Sequence, residues 1–134
     1  MHKIIFSTIC SFVTLLIIDG TWLLLSSKRF YAPNLGKLLA ENIQIIPIVL
    51  FYTLYAFGIS VFVILPALQE PTNILKTILL GGLFGCVAYG AYDFTNQATI
   101  KNWPMIVTIV DLAWGTVLTA TTSVIVTKIT KYFS

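Results

Sequence analysis

The chain has 134 residues, 57% hydrophobic and 10% charged, with a formal net charge of +3. A soluble domain of this size covers its surface with about a quarter charged residues, so the composition excludes a water-soluble globule and makes the bilayer the solvent. The eight basic residues sit at the ends of apolar stretches instead of clustering on one face, which excludes a nucleic-acid interface.

Four apolar stretches each approach or exceed the roughly 20 residues that a ~30 Å hydrocarbon core requires. The first, 4–27, is bracketed by Lys3 and by Lys28 and Arg29. It is too long for the apolar core of a cleaved leader and no Ala-x-Ala site follows it, so it reads as a retained helix. The connection after it mixes Phe30, Tyr31, Leu35, Leu38 and Leu39 with Lys37 and Glu41. Beyond Pro33 this pattern predicts a short interfacial helix over 34–41. The second stretch, 43–65, carries Pro47 near its start and is expected to close at Pro66.

A tight turn containing Glu70 and Pro71 leads to the third stretch, 74–96. Two stripes of small residues mark it: Gly81 with Gly85, and Gly82 with Cys86 and Gly90. Such stripes let helices approach closely, within one chain or between two copies, so a homodimer is one expectation. The fourth stretch, 104–127, begins with Pro104, which suits a first helical turn, and is followed by Lys128 and Lys131. Backbone groups in lipid must be paired within the segment. The expected fold class is therefore all-α: an integral membrane four-helix transmembrane bundle, one domain, with membrane lipids as its partners.

Four spans place both termini on one side. Lys3, Lys76, Lys128 and Lys131 lie on that side, and Lys28, Arg29, Lys37 and Lys101 lie on the other, so the positive-inside rule ties. Cytoplasmic termini are the expectation carried forward. His2 is the only histidine, and Cys10 and Cys86 stand apart in apolar runs. No metal site and no cofactor is expected from such a set.

Ionisable residues inside a span are costly, so each is a candidate site. Asp19 and Asp111 are embedded in matching patterns, Ile17-Ile18-Asp19-Gly20-Thr21-Trp22 and Ile109-Val110-Asp111-Leu112-Ala113-Trp114. A spacing of three places Asp and Trp on one helical face. Both aspartates lie seven residues inside the span end on the side away from the termini, ~10 Å deep at 1.5 Å per residue. Asp93 approaches the same level. If the third helix continues, Tyr89, Asp93, Asn96 and Gln97 share a face, and Tyr89, Asp93 and Asn96 are expected to form one hydrogen-bonded cluster that Tyr52 and Tyr55 could join. The expected pocket comprises Asp19, Trp22, Tyr89, Tyr92, Asp93, Asn96, Asp111 and Trp114. Two readings of this layer stay open: a brace that only holds helices together, or a pocket for a cation, a proton or an amphiphile's head.

The run Tyr89-Gly90-x-Tyr92-Asp93-x-Thr95-Asn96-x-Ala98-Thr99, followed by Trp103-Pro104 and Asp111-x-x-Trp114-Gly115, resembles a family of small bacterial membrane proteins, domain-of-unknown-function family 2177. Asp19-x-x-Trp22 fits the same resemblance, which spans essentially the whole chain. It implies four spans and a bacterial inner membrane, and no known activity. Its association with genes for lipid-modifying enzymes tilts the expectation toward lipid-related roles. The leading expectation is a non-enzymatic component that binds a lipid-like or small polar ligand. A small proton- or cation-coupled transporter is the alternative, by analogy with four-helix multidrug exporters. An intramembrane lipid-modifying enzyme ranks last, because no nucleophile–base pair, metal cluster or phosphate loop accompanies the aspartates.

Overall fold

The computed structural model describes residues 1–69, 71 and 73–134. Glu70, expected in a solvated turn, lies outside them. Among the described residues there are no strands, and four helices are long and apolar enough to cross a membrane: α1 (His2–Leu38), α2 (Ile45–Gln69), α3 (Ile74–Thr99) and α4 (Met105–Phe133). The chain is a membrane protein of four helices. Their outward faces carry large apolar side chains, among them Ile9, Leu24, Leu54, Leu83 and Ile109, as a lipid-facing surface requires.

The fourth helix runs six residues past its expected end, to Phe133, and three further departures from the sequence reading have identifiable reasons. Two departures involve a proline. A proline inside a helix removes one backbone bond and crowds the preceding turn. Here each of Pro33 and Pro66 is preceded by one wide π turn, Ser27–Tyr31 and Ser60–Ile64 respectively. The extra residue in such a turn frees the carbonyl the proline would strike, so the helix continues. The second span therefore runs through Pro66 to Gln69 instead of closing before it. The first runs past residue 27 through the turns Ala32–Leu35 and Gly36–Leu38. No separate interfacial helix covers 34–41: Gly36, at φ +44°, turns the chain, and Leu39 is extended. Finally, α3 reaches Thr99, three residues beyond its expected end, and Asn102 at φ 62° makes the turn into α4. Asn tolerates the left-handed region because its short polar side chain can bond locally.

The closest packing is between α3 and α4. A Cβ at Gly85 would stand 2.1 Å from the Gly115 carbonyl oxygen, and one at Gly81 would stand 3.1 Å from Ala120 Cα. The Gly81/Gly85 stripe is thus occupied by α4 of the same chain. α1 packs against α2 and α4, and the second half of α2 closes the bundle on the terminal side. There the core is filled by Leu15, Ile59, Ile64, Leu118 and Val126, together with small hydroxyl residues such as Ser7, Ser60, Thr119 and Ser123. Several of these hydroxyls return to the carbonyl one turn back: Ser60 Oγ donates to Ala56 O at 2.9 Å, and Ser123 Oγ to Thr119 O at 2.7 Å. A hydroxyl satisfied within its own helix can be buried without a partner from another helix. The first half of α2 has no comparable contact with α3, and a cleft remains between them.

Candidate functional site

Asp19 and Asp111 both face the interior, 6% and 8% exposed. The repeated Asp-x-x-Trp pattern has a structural counterpart. The Trp22 and Trp114 rings stack with centroids 4.6 Å apart and planes 16° from parallel. Each aspartate is then served by the tryptophan of the other helix. Trp114 Nε1 donates directly to Asp19 Oδ1 at 2.8 Å. Trp22 Nε1 donates to the Tyr31 hydroxyl at 3.2 Å, and that hydroxyl donates to Asp111 Oδ1 at 2.5 Å. The second oxygen of Asp19 accepts the Tyr52 hydroxyl from α2. Two hydrogen-bonded sets, Tyr52–Asp19–Trp114 and Trp22–Tyr31–Asp111, joined by the tryptophan stack, thus tie α1, α2 and α4 at a single level. Hydrogen bonds to an ionised carboxylate are the stronger class, worth about 1.5–3 kcal/mol each.

Tyr31 enters this network because of the π turn over Ser27–Tyr31, which swings the end of α1 back over α4. In the sequence, Tyr31 sits beside Lys28 and Arg29, where an aromatic residue reads as an interfacial anchor. No local signal distinguishes the two roles.

The expected cluster of Tyr89, Asp93 and Asn96 does not form. Asp93 is fully buried, and no N–H or hydroxyl of the described residues donates to either of its oxygens. It turns toward α4, where its carboxyl lies against that of Asp111. The Tyr89 ring lies flat over Gly115, where a Cβ would come within 2.3 Å of Tyr89 Cγ. Asn96 is half-buried near the end of α3 and does not reach the cleft. The physical reason is the closeness of α3 and α4, which turns Asp93 toward the partner helix and leaves no room for an intrahelical cluster. Tyr55 likewise goes elsewhere, sharing a 2.6 Å hydrogen bond with Thr119 on α4.

The cleft has a volume of about 1110 Å³. Asp19, Asp111, Trp22 and Trp114 form its inner end, and Tyr31, Tyr52, Tyr89 and Tyr92 stand around them. Outward it is apolar, with Pro47, Ile48 and Phe51 on α2 facing Ala88 and Ala91 on α3. Ile48, Phe51 and Tyr92 are 38%, 45% and 61% exposed, so the cleft opens sideways between α2 and α3. The rim includes Trp103, whose ring meets Tyr92 edge-on at 6.1 Å and whose Nε1 donates to Thr108 at 3.1 Å. Trp103, Tyr31 and Phe51 are lining residues that the aspartate-centred reading of the sequence left out of the pocket.

Among the described residues no group of three His, Cys, Asp or Glu is arranged to hold a metal ion. No curated protein matches the chain, and no solved structure does. Residues 4–128 match the family described as predicted membrane protein (DUF2177). That match covers nearly the whole chain, including both Asp-x-x-Trp elements and the α3–α4 turn, and the chain belongs to this family of predicted membrane proteins.

Proposed function

We propose that this protein is a non-enzymatic binding component of the bacterial inner membrane, with both termini cytoplasmic, which takes up an amphiphilic ligand from the bilayer through the α2–α3 opening. The carrying observation is the cleft itself: about 1110 Å³, polar and aromatic at its inner end, apolar toward the lipid. Ligand pockets are commonly 300–1,000 Å³ and largely apolar with a few placed polar groups, so the size suits a headgroup with part of its chain. The amphipathic grading suits a molecule that stays in the membrane while its head leaves the interface. With cytoplasmic termini, the site lies toward the outer leaflet.

The direct test is native mass spectrometry of detergent-released protein. A retained lipid-like adduct is expected on the wild type. It should disappear from Ala88→Trp, which puts a large side chain into the lining of the cleft and leaves both aspartates in place. Identical adducts on both proteins would refute the reading.

A second reading, a proton- or cation-coupled transporter, draws support from Asp93. A fully buried carboxyl against Asp111, with no donor of its own, is a place where a mobile cation or proton would be the missing partner. Proton flux in proteoliposomes that is absent from Asp93→Asn would favour it over simple binding.

A further inference from the structure

We propose that the headgroup accepted by this cleft is cationic and free of phosphate, an alkylammonium or comparable lipophilic cation, with Asp19 and Asp111 as its counter-charges and the tryptophans as its walls. This rests on the binding reading given above and specifies the ligand's chemistry. Three observations carry it.

The first is charge. Asp19 and Asp111 line the inner end, Asp93 stands directly behind Asp111, and none of the eight Lys and Arg residues of the chain lines the cleft. The hydroxyl and indole groups that donate to Asp19 and Asp111 are neutral, and the other neighbour of Asp111, Asp93, is itself a carboxyl. Opposite charges attract strongly where water is scarce, and two carboxylates with no cation among their neighbours favour a positive ligand. The same arrangement disfavours an anion. A phospholipid, even a zwitterionic one, would bring a phosphate that no Lys or Arg of the lining could meet.

The second is the aromatic wall. All three tryptophans of the chain, with four of its six tyrosines, line this one cleft. Quaternary ammonium groups are held over the faces of such rings.

The third is Asp93. Its fully buried carboxyl accepts from no N–H or hydroxyl of the described residues and lies hydrogen-bonded against Asp111, so the layer behind the cleft holds a third acidic group and no basic one.

The experiment uses the full chain in neutral detergent and three probes with the same brominated tail, differing only in head: trimethylammonium, phosphate and maltoside. Bromine quenches tryptophan on contact, and every tryptophan lines the cleft. Saturable quenching is expected from the ammonium probe at concentrations about tenfold below those for the maltoside probe, with the phosphate probe weakest. Asp111→Asn should narrow the gap between ammonium and maltoside to within about threefold. Equal quenching by all three heads, or preference for phosphate, would overturn the cationic assignment and leave the cleft as an amphiphile site. Absence of saturable quenching by any probe would overturn both. The three-probe comparison on the wild type decides the question even if the variant does not fold.

Discussion

Replacing Gly85 by Ala tests the claim that α3 and α4 are held at backbone contact and that this contact shapes the site. The added Cβ would stand 2.1 Å from the Gly115 carbonyl oxygen, 2.5 Å from Thr119 Oγ1 and 2.7 Å from Thr119 Cβ. Ordinary van der Waals contact begins near 3.4 Å, so relief requires the helices to part by about 1.3 Å at this level. The carbonyl belongs to the backbone of α4 and has no rotamer through which to withdraw. Overpacking of this kind costs about 1–3 kcal/mol. The displacement also reaches the site, because Tyr89 lies over Gly115, and Asp111 is one turn from that glycine. The assay is unfolding by a denaturing detergent, followed by circular dichroism and tryptophan emission. Gly20→Ala is the internal control: nothing lies within 4 Å of a Cβ there, and the helical preference of Ala over Gly favours the variant by up to about 1 kcal/mol. Gly85→Ala as stable as the wild type, or Gly20→Ala equally destabilised, would refute the packing argument.

Asp19→Asn is expected to stay within about 1 kcal/mol of the wild type, since an amide can accept from Trp114 and donate to the Tyr52 hydroxyl; Asp19→Leu strands both donors and should lose about 1–3 kcal/mol in the same unfolding assay. Tyr31→Phe removes the link from Trp22 to Asp111 and should cost about 1 kcal/mol, with a change in tryptophan emission as the Trp22–Trp114 stack loosens; an unchanged spectrum would count against the network. Asp111→Asn and Asp19→Asn are expected to insert and fold yet fail to complement a deletion strain, and full complementation would leave the aspartates as braces only. Extraction with alkaline carbonate should leave the protein in the membrane pellet, as four apolar spans require.

Much of this architecture is written locally. Apolar runs of the required length can only become helices in lipid, so the four spans and the family were legible from residue order. So was the shared face of each Asp-x-x-Trp, because a spacing of three is a property of any α-helix. The Gly81/Gly85 stripe announced a close contact, though not its partner.

Other features were decided by tertiary structure. Pro66 reads as a helix end and Pro33 as the lead-in to a separate interfacial helix, yet both lie inside continuous helices, because a π turn placed ahead of each absorbs the lost bond. The first of those turns also swings Tyr31 back from the interface to Asp111. Asp93 has the right spacing to join Tyr89 and Asn96, but the contact at Gly85 turns it toward α4 instead. The crossing of donors, Trp114 to Asp19 and Trp22 through Tyr31 to Asp111, depends on two helices meeting at one depth. Hydropathy and periodicity act within a segment and so can be read along the chain, whereas the partner of a buried carboxylate is chosen between segments, by how closely their backbones can approach.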